Sequence, residues 1–500
     1  MEENHLIAER KRKLEELKKA GINPFAYHYD KSESSADITS AFERFEGKEV
    51  SVAGRIVSMR DMGKICFAHL LDSAGKIQLY FSKEELKEAY SMLKLLDMGD
   101  IIGAKGKIFK TKTGEITVHI EKFELLTKSL RPLPEKWHGL KDPEARYRQR
   151  YVDFIVNPEV KEVFMKRARI YKAIREFLDQ GGFIEVNTPI LQSQYGGANA
   201  RPFITKINAW DMKMYLRIAY ELHLKRLIVG GFEKIYDLSS CFRNEGVDKT
   251  HNPEFAMMEI QWAYADYNDM MRLTEELYEY VAKQVLGTTV IEYEGRKIDF
   301  KAPWQRLTMV EAIKRYLELD VEKMSADELR KVALQHKLEV GKDEPWGLLV
   351  NHLFELCEEK IIQPTFIMDP PIETCPLAKP HRKDLRFIER VEPFINGWEA
   401  GNGYSELTDP LLQRKELEEQ AAKGRGGDEE AHPMDEDYVR ALEFGLPPNA
   451  GMGIGIDRMV ILLTGAESIR DVTLFPIMRQ QEQKEPGKDE EEPNKNTKKK

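Results

Sequence analysis

The stretch CFRNEGVDKTHNPEFAMMEIQ, residues 241–261, alternates charged and apolar side chains in a way few folds accommodate. It reads as two extended segments around a tight turn at GVDK, and along a strand successive side chains point to opposite faces. Arg243 and Glu245 then share a face before the turn, and His251, Phe255, Glu259 and Gln261 share one after it. That face collects a cation, carboxylates, an imidazole and an aromatic ring. An ion-pair network accounts for two of these groups but not for the aromatic alternating with them. A nucleoside triphosphate suits the whole set. Arg holds a phosphate by paired hydrogen bonds, His meets a second phosphate oxygen, and Phe gives a base a ring to stack on.

The same parity puts Arg217, Ala219 and Glu221 on one face of MYLRIAYEL, and Asn402, Tyr404 and Glu406 on one face of GNGYSEL. Glu221, Glu259 and Glu406 lie in apolar surroundings, where an unpaired carboxylate is costly, so something cationic must meet them. Glu392 and Glu399, in VEPFINGWE, offer hard oxygen ligands to a divalent ion bridging phosphates. In NAGMGIGIDRMVILL the glycines at 451, 453 and 455 leave one strand face bare enough to lie against a planar ligand. Arg458 follows at the start of an apolar helix, in position for a phosphate. Neither GxxxxGK[ST] nor GxGxxG occurs, so a P-loop and a Rossmann site are excluded.

A chain of 500 residues with 42% apolar content has room for two or three folded units. The segment ERKRKLEELKKAG (9–21) reads as an amphipathic helix stopped by Gly21, either solvated or a basic arm that follows a phosphate backbone. Residues 49–128 change to short alternating strands with glycines at the bends, the pattern of a small closed barrel of the oligonucleotide-binding type. On those strands Phe67 and Gln78 sit beside Arg55, Arg60 and Lys64; a strand aromatic is usually core, and the alternative is stacking on a base. Residues 129–153 read as a linker. Residues 154–479 read as a mainly antiparallel sheet flanked by helices, with a helical insertion near 268–360, giving an α+β chain. From 480 to 500 a low-complexity charged tail has too little apolar surface to order itself. Four scattered cysteines suggest neither a zinc site nor disulfides, and no apolar run reaches membrane-span length. A soluble cytoplasmic protein, with no membrane partner, is the expectation.

GFIEVNTPIL, FRNEGVDKTHNPEF and GIGIDR resemble motifs 1, 2 and 3 of class II aminoacyl-tRNA synthetases. The context around them, including LHLKRLIVGGFEKIYDL and AYADY, is similar to the bacterial-type lysyl-tRNA synthetases over about residues 1–479. That resemblance implies an ATP-dependent ligase that activates L-lysine with Mg2+ and transfers it to tRNA(Lys), working as a homodimer built on motif 1. Carried over by position, Arg243 holds the α-phosphate and the lysine carboxylate, Glu245 the adenine amino group, Phe255 the adenine ring, and His251 with Arg458 the terminal phosphates. Glu392 and Glu399 carry the magnesium. Gly197 and Glu221 meet the α-amino group, Asn402 the carboxylate, and Glu259 with Glu406 the side-chain amine. Tyr404 and Gln261 line the lysine pocket, while Phe67, Gln78 and Arg60 read the anticodon.

Three positions depart from the family pattern. Gln261 stands where Tyr is common, Tyr220 replaces a Pro, and Tyr404 replaces Phe; the Gln261 carbonyl is expected to accept from the substrate ammonium. Other readings are a class II synthetase of altered specificity, charging aspartate or asparagine, a lysine ligase acting on a protein, and an inactive RNA-binding relative. The first needs a cationic pocket where carboxylates gather. The second lacks a barrel, and the third is expected to lose Arg243, Arg458 or the Glu392–Glu399 pair.

Overall fold

The computed structural model describes residues 5–134, 140–425 and 433–481, so all but the first two residues of the expected tail lie outside the described residues. The chain forms two compact units that divide after Asp142.

In the first unit β1 (Glu49–Asp61), β2 (Ile65–Leu71), β3 (Lys76–Ser82), β4 (Ile101–Lys110) and β5 (Ile116–Thr127) close a barrel in the order β1-β2-β3-β5-β4. This is the expected oligonucleotide-binding barrel. Alternation builds it: Cys66, Ala68 and Leu70 of β2 face Ile77, Leu79 and Phe81 of β3 in one buried core, while their neighbours point outward. The N-terminal helix runs His5–Lys19, earlier than expected, and buries Leu14 and Leu17. Its Arg10 is buried too, donating to the Met98 (2.8 Å) and Arg131 (3.0 Å) carbonyls. One face of this helix is therefore an anchor to its own barrel, which neither the solvated nor the phosphate-tracking reading anticipated.

In the second unit β6 (Ile184–Glu185) precedes a small sheet of β7 (Leu191–Gln192), β8 (Ile204–Ile207) and β9 (Met212–Leu216). Then come the long antiparallel pair β10 (Lys234–Phe242) and β11 (Glu254–Ala263), the hairpin β12 (Val290–Tyr293) and β13 (Arg296–Asp299), and β14 (Gln305–Thr308). The sheet is completed by β15 (Thr365–Met368), β16 (Arg390–Ile395), β17 (Trp398–Glu399), β18 (Gly401–Ser405) and β19 (Asn449–Gly455). Its order is β14-β15-β16-β18-β19-β11-β10-β6, with β17 pairing β16, and all pairings are antiparallel except β6 on β10 and β14 on β15. The α+β architecture expected from the sequence is present.

Parity along β11 explains how a strand so charged can be central. Ala256, Met258 and Ile260 enter the main core, under the helices Pro158–Gln180, Tyr267–Leu286 and Ile456–Thr464. Met257, Glu259 and Gln261 take the opposite face. The helix Tyr267–Leu286 starts on a capping box, Asp266 with Asp269, stops at Gly287 (φ +75°), and buries Met270, Met271, Leu277, Tyr278 and Val281. At about 2 kcal/mol per large apolar side chain, that stripe outweighs local propensity in holding the sheet's back layer.

Three expectations need correction. The span 268–360 is not simply a helical insertion: its first helix packs in the main core, it contains a hairpin, and β14 joins the sheet edge. Residues 129–153 are not all linker, because Pro143–Arg148 is a helix and Arg150–Val156 another, with Arg150 buried on Asp153 (3.0 Å). MYLRIAYEL is not one strand. β9 ends at Leu216, and Glu221 opens the helix Glu221–Val229, whose Leu222, Leu224 and Ile228 follow helical spacing.

Candidate active site

β10 and β11 are joined by a loop that Arg243 and Pro253 close, the Arg243 N–H donating to the Pro253 carbonyl at 2.9 Å. It is wider than the tight turn expected at GVDK. Inside it the Asp248 carboxylate accepts from the backbone N–H groups of Thr250 (2.7 Å) and His251 (2.8 Å) and pairs with His251 Nδ1 (2.8 Å). Glu245 and His251 are consequently exposed at a rim rather than buried on a strand face.

Beneath this rim β11, β18 and β19 enclose a cavity of about 420 Å³. Arg243, Glu245, His251, Phe255 and Arg458 line one part of it; Gly197, Glu221, Glu259, Gln261, Asn402, Tyr404 and Glu406 line the rest, with Glu399 also contributing. Glu392 alone of the expected set is not in the lining and sits behind it, ion-paired to Arg390. The Arg243 guanidinium lies over the Phe255 ring at 5.1 Å, and its buried Nε has no acceptor among the described residues. A buried, unspent donor facing a cavity marks where an anion fits.

The bare glycine face of β19 has two uses. A side chain at Gly451 would strike Gln261 Nε2 at 2.3 Å and Glu406 Oε1 at 2.5 Å, so this glycine gives the polar network room. At Gly453 and Gly455 nothing comes closer than 3.6 Å, so their lack of a side chain leaves space in the cavity itself. Gly197 turns at φ +85°, and an added Cβ would meet Glu221 Cβ at 3.0 Å.

The acidic end is densely connected. Glu221, Glu259 and Glu406 are all buried, and Glu259 Oε2 has no hydrogen-bond partner among the described residues. Burial, reinforced by Glu221, holds the Glu259 carboxyl well above the usual carboxylate range. Burial pushes Glu406 up to about 7, with Lys225 opposing and Glu221 adding to the shift. Gln261 Nε2 donates to Glu406 Oε1 (2.7 Å), and Asn449 Nδ2 donates to Gln261 Oε1 (2.7 Å). The Gln261 carbonyl expected to face the substrate ammonium is therefore engaged by Asn449. Gln261 orients Glu406 instead.

Several functional residues carried no signal that strand parity alone could read. Arg390 Nε donates to Asn402 Oδ1 (3.1 Å), which turns the Asn402 amide N–H groups away from Arg390. Asp457, of GIGIDR, links that segment to β11 and to the long helix Pro158–Gln180, accepting from Ala256 N–H (2.7 Å) and pairing with Arg167. Lys225, four residues after Glu221, becomes its i,i+4 partner only because this segment is a helix, a contact the strand reading does not offer. Arg217 is not a pocket residue; fully buried, it donates to the Ser240 (2.8 Å) and Thr188 (3.0 Å) carbonyls and pairs with Asp237. Tyr220 is likewise structural, its hydroxyl donating to the Ser239 carbonyl (2.7 Å).

Glu358, Glu392 and Glu399 lie near enough to repel one another. Burial and the other two carboxylates push Glu358 up to about 7, while burial outweighs Arg390 to raise Glu392. Among the described residues no group of three or more His, Cys, Asp or Glu side chains is arranged to enclose a metal by itself. An excess of half-buried carboxylate oxygen beside the cavity suits a divalent cation that takes its remaining ligands from phosphate oxygens.

On the barrel, Arg60 pairs in register with Phe67, Phe67 with Tyr80, and Tyr80 with His119, forming one row across β1, β2, β3 and β5. Phe67 and Tyr80 lie 5.2 Å apart, Tyr80 and His119 5.1 Å, all on the outer face. Gln78 sits one row away with its amide engaged, donating to Glu115 (2.6 Å) and accepting from Thr117 (2.7 Å). Tyr80 and His119 extend the aromatic row beyond the residues expected from sequence.

A barrel of this type and an antiparallel sheet bearing these motifs define a class II synthetase. The family described as tRNA synthetases class II (D, K and N) matches residues 142–479, and the OB-fold nucleic acid binding domain matches residues 50–126; the chain belongs to these class II synthetases. Among its relatives are lysine–tRNA ligases. That of Thermoanaerobacter sp. (strain X514) is 53% identical over 480 residues, 95% of this chain and 96% of its own. That of Moorella thermoacetica is 52% identical over 484 residues, 96% and 99% of the two chains, and that of Clostridium kluyveri 50% over 491 residues, 96% and 97%.

Proposed function

We propose that this enzyme activates L-lysine with ATP to lysyl-adenylate and transfers the lysyl group to the 3′ end of tRNA(Lys). The observation that carries the reading is the continuity of one cavity, from an unspent Arg243 beside Phe255 to three buried carboxylates, Glu221, Glu259 and Glu406. The first part suits a nucleotide and the second a substrate with amines.

In the first step the lysine carboxylate attacks the α-phosphorus in line, and pyrophosphate leaves with the electrons of the broken P–O bond. Positioning and neutralisation of developing charge do most of the catalytic work, which falls to Arg243. Phe255 stacks on adenine, Glu245 accepts from its amino group, and His251 and Arg458 meet the outer phosphates. Asn402, held by Arg390, presents its N–H groups to the lysine carboxylate end. Gly197 and Glu221 receive the α-ammonium; Glu259 and Glu406 receive the side-chain ammonium between Tyr404 and the glycine face of β19. In the second step a terminal ribose hydroxyl of the tRNA attacks the carbonyl carbon, and AMP departs. Neither step needs a nucleophilic side chain.

Magnesium would be held by Glu392 and Glu399, with Glu358 adjoining, and when bound supplies charge neutralisation on the phosphates. Exposed Ile184, Ile190 and Leu191 in the motif 1 region support a homodimer. With these substrates the cytoplasm is the compartment the reading implies. Among the described residues no helix is long and apolar enough to cross a membrane.

The experiment is charging of tRNA with a U-rich anticodon, followed for the wild type and Phe67→Ala. Losing one stacking platform is expected to raise the KM for tRNA about tenfold, because base–aromatic stacking contributes about 1–3 kcal/mol. Pyrophosphate exchange without tRNA is expected to stay at the wild-type rate. Equal losses in both assays would remove Phe67 from the tRNA interface.

A further inference from the structure

The carboxylates at the amine end already face a cation that belongs to the protein. Lys225 is fully buried one helical turn after Glu221, donates to Glu221 Oε1 at 2.5 Å, and pairs with Glu406 Oε2. Tyr404 and Tyr438 turn their rings toward the same ammonium, with centroids 5.4 and 5.9 Å away. Two carboxylates and two ring faces keep it charged where burial alone would strip its proton.

The charges around it can be counted. In the ionised form that meets an ammonium, Glu221, Glu259 and Glu406 supply three negative charges and Lys225 one positive. The nearby Arg217–Asp237 and Arg390–Glu392 pairs cancel internally, and Arg243, a further cation in the lining, is set against the α-phosphate and the substrate carboxylate. Glu259 Oε2 remains without a partner among the described residues, and Glu221 Oε2 points toward Gly197. We propose that Lys225 is a positioning residue that leaves this pocket two positive charges short, so that it selects an amino acid carrying two ammonium groups. The inference rests on the lysine reading of the site and assigns the source of its specificity. A pocket of three carboxylates without Lys225 would be over-charged, and like charges at this burial would be relieved by protonation or by movement of Glu221 and Glu406.

The test is a charge-balance cycle in pyrophosphate exchange, measuring KM for lysine and for ATP with Lys225→Met, Glu406→Gln and the double variant. Thermal melts establish folding. Each single variant shifts the pocket by one charge and is expected to raise the lysine KM about thirtyfold or more, with ATP KM little changed. The double variant restores the deficit of two and is expected to show a lower lysine KM than either single variant. If the losses multiply in the double variant, or ATP KM rises in step, Lys225 merely fills space and the proposal is overturned.

Should Lys225→Met not fold, Glu406→Gln still decides. With the deficit reduced to one, competition by L-norleucine, which lacks the side-chain ammonium, is expected to improve about tenfold relative to lysine. An unchanged ratio overturns the proposal. Loss of lysine dependence in the wild type would instead sink the reading of the site, so the two failures are separable.

Discussion

Arg243→Ala is expected to lower kcat for lysine-dependent pyrophosphate exchange about a thousandfold, the scale seen when a preorganised donor to developing charge is removed. Arg243 is placed for this by three features: its N–H closes the loop base on Pro253, Phe255 supports the guanidinium plane, and its buried Nε has no acceptor within the described residues. Arg243→Lys keeps the charge but loses the planar fork, so it should recover only part of the rate. Single-turnover kinetics with saturating ATP and lysine separates this from a binding defect. A fall in affinity with kcat unchanged would move Arg243 out of the transition state and into ground-state binding.

Glu406→Ala is expected to raise the KM for lysine about a hundredfold while ATP KM moves little, since removing one partner of a buried ionic contact strands the other. The stranded group is Lys225, which Glu406 contacts together with Gln261. Equal effects on both substrates would take Glu406 out of the amine pocket. Glu406 also gives the enzyme a pH signature. Lysine binds the ionised carboxylate, and in the free enzyme burial, with Glu221 adding to it, holds the proton on Glu406 up to about pH 7 while Lys225 and Gln261 oppose. Lysine KM should therefore rise as pH falls below about 7. The stability of the ligand-free protein runs the other way: the folded state holds this proton more tightly than the unfolded chain, so its contribution is present at low pH and is lost as pH rises through about 7. Added lysine should offset that loss in a thermal melt.

Much of this site could be read from residue order because strands obey a two-residue period. Glu259 and Gln261 share a face of β11, Asn402 and Tyr404 one of β18, and all four line the cavity. Parity failed where the backbone leaves the strand. Glu221 is on a helix, and Arg243 and His251 belong to a loop shaped by Asp248, so their convergence depends on turns that a period of two does not describe. The partner groups were hidden for a related reason. Arg390 orients Asn402 from the next strand, Asn449 engages Gln261 from β19, and Lys225 reaches Glu406 across the fold; each link joins residues distant in the chain. The barrel was legible from its alternating strands and glycine bends. Which outward aromatics form a row was set by the pairing of Phe67 with Tyr80, which needs the register.

The central claim is that this pocket reads an amino acid by its two ammonium groups. The most direct measurement is ATP–pyrophosphate exchange by the purified wild-type protein with each of the twenty amino acids supplied singly. The account predicts exchange with L-lysine and background rates with the others, aspartate and asparagine included. Exchange driven by a different amino acid, or none with lysine, would contradict it.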